Sequence, residues 1–146
     1  MNLLNQVKVV RCLDAKTTGG NVTTTGKAVD TQGFEGVMFI AQGSTLLNKA
    51  AVYMSVKTAA TTAATFTAAG THSTGILCTS GLLDSKTLCV DVYRPLKRYV
   101  KPIIVGASSG HIFSITGILY GPRRPGSSAL ASTHSAFRYS IAAATS

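Results

Sequence analysis

Residues 87–93 alternate without a break: Leu88, Val90 and Val92 fall on one side, Cys89, Asp91 and Tyr93 on the other. Residues 50–57 do the same, with Val52, Met54 and Val56 set against Tyr53, Ser55 and Lys57. A period of two is the repeat of a half-buried strand, because successive side chains of an extended chain point to opposite faces. A helix would return the same face only about every 3.6 residues, and no long segment of this chain has that period. Composition agrees. Charged residues make up 13% of the chain, against roughly 25% in an ordinary soluble domain. Glu35 is the only glutamate, so the usual material of solvated helix faces is missing.

The remaining segments extend this all-β reading. Residues 4–13 read as a first strand, and 14–26, rich in Thr and Gly, as a loop. Residues 35–41 form an apolar run that suits a buried strand. Residues 58–75 are almost all Thr and Ala and read mostly as loop, with a short strand near Phe66. Residues 98–105 and 112–120 read as the last two strands, joined by a hairpin turn at Gly106–Gly110. Six or seven strands at fairly regular spacing predict a β-sandwich or jelly-roll-like barrel. At 146 residues with 45% hydrophobic content, one domain with a sizeable core is expected. That domain is assigned to residues 1–126. Residues 127–146, mostly Ser, Ala and Thr, read as an extended C-terminal arm anchored by Phe137, Arg138, Tyr139 and Ile141.

Cys12, Cys78 and Cys89 are odd in number and show no CxxC spacing, so neither a disulfide framework nor a structural zinc site is expected. Cys12 and Cys89 read as small buried hydrophobes, and synthesis in a reducing cytoplasm is the expectation. Residues 1–8 contain no apolar stretch before a cleavage site, so no signal peptide is predicted. The apolar stretch 102–120 is interrupted by Gly106, Ser108, Ser109, Gly110 and His111 and is not a membrane span.

Chemistry-bearing motifs are sparse. Gly106, Ser108 and Gly110 match the G-x-S-x-G pattern of a nucleophile elbow. That elbow needs a helix after the serine and an acid further on; here a β-patterned run follows, and no Asp or Glu comes after Asp91. His72, His111 and His134 stand in separate segments without ligand spacing, and Asp14, Asp30, Glu35, Asp84 and Asp91 form no paired-carboxylate pattern. Asp30 reads as the cap of a turn before Gly33. The sequon at Asn21 reads as chance in a chain without a secretory signal. No enzymatic activity, metal or cofactor is expected.

The charge is more informative. Fourteen basic and five acidic residues give a formal net charge of +9, which favours acidic partners. Arg94, Lys97, Arg98 and Lys101 cluster around Tyr93 and Tyr99, and Arg123 and Arg124 follow the last strand. Basic residues interleaved with aromatics can grip single-stranded nucleic acid. Pro95, however, sets a bend between strands, where such charges meet a protein partner. Protein contact is therefore the preferred reading, ahead of plain solvation of the charges and of nucleic acid, and membrane association is not expected.

Three stretches, VDTQGFEGVMFI (29–40), LCVDVYRPLKRYVKP (88–102) and YGPRRP (120–125), together resemble a group of small structural proteins of tailed phages, cyanobacterial phages included. The resemblance spans residues 29–125, and DVYRPLKRY is its most specific block. It implies a virion protein, and more narrowly a decoration or cement protein on the outer surface of the phage head. Such proteins commonly sit as trimers and clamp adjacent copies of the major capsid protein. The contact regions expected on this reading are the loop with Arg94, Lys97, Arg98 and Lys101, then Arg123 and Arg124, and the arm with Phe137, Arg138 and Tyr139. The rivals are a head–tail connector or tail component, and a basic nucleic-acid-binding module.

Overall fold

The computed structural model describes residues 3, 6–18, 23–44, 51–77, 87–106 and 111–123. They form nine strands: β1 (Val7–Thr18), β2 (Thr23–Thr25), β3 (Val29–Asp30), β4 (Phe34–Ser44), β5 (Ala51–Ala59), β6 (Thr67–Leu77), β7 (Thr87–Tyr93), β8 (Tyr99–Gly106) and β9 (His111–Pro122). The protein is all-β. One antiparallel sheet has the order β1-β9-β4-β7; the other has β2-β8-β5-β6, with β3 also paired to β8.

The order follows one rule. β2 and β3 both pair with β8 and act as one interrupted strand. The first strand then pairs with the last (β1 with β9), the second with the second-last, β4 with β7, and β5 with β6. The chain is thus a long hairpin doubled back at β5–β6 and wrapped on itself. Wrapping brings β4 beside β9 and β5 beside β8. This is the winding of a double-sheet jelly roll, the more specific of the two expected architectures.

The alternation read from the sequence is what fills the core. β7 shows strict alternation of exposed and buried residues, with Leu88, Val90 and Val92 buried. They meet Val37, Phe39 and Ala41 of β4, Ile115 and Leu119 of β9, and Met54, Val56, Val100 and Ile104 of the other sheet. Phe39 is fully buried opposite Gly117. A Cβ at Gly117 would lie 3.1 Å from Cys12 Sγ and 3.3 Å from the Phe39 ring, so the missing side chain is what lets both pack. Replacing Phe39 by Ala would leave a cavity costing roughly 3–5 kcal/mol.

Four expectations need correcting. Residues 14–26 are not one loop: β1 continues to Thr18, and β2 takes Thr23–Thr25. Register shifts between Arg11 and Leu13 and between Leu13 and Lys16 break the alternation there and hide the strand. Residues 58–75 contain the start of β6, an eleven-residue strand paired with β5. Its Thr content favours extended backbone, but a Thr/Ala sequence has no polar–apolar contrast to show it. Strands β8 and β9 are not a hairpin, because they lie in different sheets; alternation identifies a strand without identifying its partner. Cys89 is exposed while Cys12 is buried, because Cys89 occupies the outward phase of β7.

Candidate interaction site

Between β7 and β8 the backbone leaves one sheet and enters the other through residues 94–98. Both ends of this connection are tied. At its start Arg94 adopts φ 47°, a left-handed conformation that costs a non-glycine residue about 1–2 kcal/mol. Its N–H donates to the Glu35 carbonyl at 2.8 Å, which holds it there. Pro95 then fixes its own φ. At the far end the Arg98 carbonyl accepts from Thr31 N–H at 3.0 Å and from Thr31 Oγ1 at 2.7 Å. Thr31 is buried, so these bonds satisfy polar groups that water does not reach.

The Arg98 side chain adds a second tie. Its Nε and Nη2 donate to the two carboxylate oxygens of Asp30 at 2.8 and 2.6 Å, the bidentate fork that a planar guanidinium favours. Asp30 Oδ1 also accepts from Gln32 N–H at 3.0 Å, the turn-capping bond predicted from the sequence. The Arg98 hydrogen bond, reinforced by that of Gln32, holds the Asp30 carboxyl below its ordinary range. Arg98 in turn is held more firmly cationic by Asp30. Lys97 Nζ donates to Thr67 Oγ1 at 2.9 Å, linking the loop to β6.

An open groove of about 550 Å³ runs along one side of the loop, lined by Arg94, Arg98, Arg123, Glu35 and the turn 31–34 among others. Arg123 reaches it because its N–H donates to the Gly33 carbonyl at 2.9 Å. A smaller groove of about 240 Å³ lies on the other side, between Lys97, Tyr93 and the start of β6. The predicted basic cluster therefore divides. Arg94, Arg98 and Arg123 come together at the larger groove, and Lys97 lines the smaller one, which Arg94 also borders. Lys101 stands apart, its Nζ 4.0 Å from the Phe66 ring centroid and directly across from Lys57. Arg124, Phe137, Arg138 and Tyr139 lie outside the described residues, as do Ser108 and His134.

Two features of the site were not anticipated. The first is that Asp30 and Thr31 clamp Arg98 across 68 and 67 residues of sequence; only the Asx half of Asp30's role has a local signature. The second is Leu96, whose side chain is completely exposed. No group of three His, Cys, Asp or Glu side chains among the described residues could hold a metal ion. No helix among them is long and apolar enough to cross a membrane.

The chain matches no protein-family model, and no match to it is found among curated proteins. Among solved structures, it superposes on the PBSX exported protein XepA with a TM-score of 0.56 at 12% identity, over 97% of this chain. This chain spans about half of that one, 46% of its length. A structure of infectious bursal disease virus, Gx strain, overlaps more loosely, with a TM-score of 0.48 at 14% identity, covering 83% of this chain and 33% of that one. The likeness to XepA is one of fold: the wrapped double sheet is an architecture this chain shares with another protein at very low sequence identity.

Proposed function

We propose that this protein is a structural, non-enzymatic component of a virus particle, and more narrowly a decoration protein on the outer surface of a tailed-phage head. The observation that carries the reading is where the most specific resembling block falls. That block, DVYRPLKRY, lies within the stretch 88–102, which builds β7 from Leu88 onward, the tied loop and the first half of β8, so the stretch accounts for both a core strand and the tied surface loop. The jelly-roll winding supports the same reading, since viral capsid domains are among the proteins that use it.

The proposed partner is the major capsid protein, contacted by the cationic loop and Arg123, with self-association as a trimer. A small β-domain bound across the joints of an expanded shell adds binding free energy to that state only. By mass action it then stabilises the shell against opening. Binding and shape suffice for this role.

Quantitative gels and cryo-EM of purified particles test the proposal. Many copies spread over the outer shell are the expected result. A small ring at one vertex would replace decoration by a connector or tail role. Absence from particles, with salt-sensitive binding to DNA, would replace both.

A further inference from the structure

Leu96 has a relative exposure of 102%, well above the other exposed large hydrophobic side chains, such as Tyr93 at 52%. A lone exposed leucine is ordinary on a protein surface. What sets this one apart is its mounting. Arg94 is fixed by Glu35, Arg98 by Thr31 and Asp30, and Lys97 by Thr67. The apolar tip thus sits on a loop whose ends are already ordered, and little conformational freedom remains to be lost on binding. Cations flank it on both sides.

We infer that Leu96 is an anchor that inserts into an apolar pocket rimmed by carboxylates on a protein partner. This rests on the virion reading and names the chemistry of the contact. Hot spots combine a central apolar group in a pocket with a surrounding ring that excludes water, and Arg94 and Lys97 are placed to meet that ring. A second copy of this chain is a poor fit. It carries +9 and only five acidic side chains, of which Asp14, Asp30 and Asp91 already bond to Arg11, Arg98 and Tyr120. A lipid surface is also a poor fit, because one leucine is a far smaller anchor than the single acyl chain that itself binds membranes only marginally. A repeating protein lattice makes a small contact sufficient, since each engaged copy raises the effective concentration of linked neighbours.

The test titrates full-length protein onto purified particles assembled without it, and in parallel onto vesicles of phosphatidylcholine and phosphatidylserine. Leu96→Ala and the double variant Arg94→Glu/Lys97→Glu are compared with wild type and with Tyr53→Ala, a control on the outer face of the other sheet. Thermal unfolding checks that each variant is folded. Saturable wild-type binding to particles, weakened about tenfold or more by Leu96→Ala and by the charge reversal but not by Tyr53→Ala, is the expected result. Equal binding by wild type and Leu96→Ala overturns the anchor and leaves the virion role standing. Leu96-dependent binding to the vesicles overturns the protein partner. No wild-type binding to particles overturns the virion role, and the anchor with it.

Discussion

The Tyr120 hydroxyl on β9 donates to Asp91 Oδ1 on β7 at 2.7 Å, across the strand that separates them. That strand is β4, and the residue it presents between Tyr120 and Tyr93 is Gly36. A Cβ at Gly36 would run into the Tyr120 ring and hydroxyl. The absent side chain is therefore the bed in which the ring lies, and the ring in turn buries Gly36. Three strands of one sheet are locked by a contact that skips the middle one.

Gly36→Ala should displace the ring and break the bond to Asp91, costing about 1–3 kcal/mol as an overpacked site does. Tyr120→Phe, which removes only the hydroxyl, should cost about 1 kcal/mol. In a Tyr120→Ala background the Gly36→Ala change should become much cheaper, because the colliding group is gone. Urea denaturation of the four proteins gives the cycle. A coupling energy within about 0.5 kcal/mol of zero would mean that the two residues act independently.

The same contact predicts behaviour at high pH. Burial, and then the bond to Asp91, push the Tyr120 hydroxyl above its ordinary value of 10.0. The folded state therefore holds the proton more tightly than the unfolded chain does. Stability from this source is complete below the unfolded value and is lost as pH climbs beyond about 10. Wild type should lose stability in that range faster than Tyr120→Phe. Urea midpoints at a series of alkaline pH values compare the two slopes, and parallel slopes would contradict the assignment.

How much of this was readable in advance differs between fold and site. The strict alternation in β7 and the apolar run in β4 showed both the fold class and the inward residues, since burial on one face forces a period of two. The winding was not readable. Which strands pair depends on contacts between residues such as Val7 and Tyr120, more than a hundred positions apart, and nothing local encodes them. At the site, Arg94, Lys97, Arg98 and Lys101 stand out in the sequence as a charge cluster, with Arg123 and Arg124 after the last strand, yet charge says nothing about which of them meet or are already engaged. The Asp30 partnership with Arg98 comes from β3 pairing with β8, a consequence of the fold. Nothing in the sequence marks out Leu96; its full exposure follows only from the way both ends of the loop are held.

Cys12 and Cys89 should separate cleanly in a thiol-reactivity experiment. Burial pushes the Cys12 thiol up to about 12, and its sulfur sits against Gly117 and the core. The nucleophile is the thiolate, so Cys12 should resist iodoacetamide at neutral pH until the protein unfolds. Cys89 is exposed on β7 and should label in the native state. Peptide mass spectrometry reads each site separately. Native labelling of Cys12 at the rate of Cys89 would show that the sandwich opens on the timescale of the reaction.

The Asp30–Arg98 fork is half exposed, where solvent screens an ion pair and leaves it a small net contribution, so its main effect should be local. Asp30→Asn keeps an oxygen for the Gln32 amide but loses the charge, and should cost little in global stability. The pH dependence carries the sign. The Asp30 carboxyl is held below its ordinary value of 3.8, so its contribution is present above that value and fades as pH falls through it. Wild type should approach the stability of Asp30→Asn in that acid range and exceed it at neutral pH. Hydrogen exchange supplies the finer readout. The Thr31 amide donates to the Arg98 carbonyl and the Arg94 amide to that of Glu35, one reporter for each end of the loop. Asp30→Asn should speed exchange at Thr31 several-fold and leave Arg94 nearly unchanged, because only the Arg98 end has lost its tie. Equal acceleration at both would mean that the loop opens as a unit, and the two anchors would then have to be counted as one.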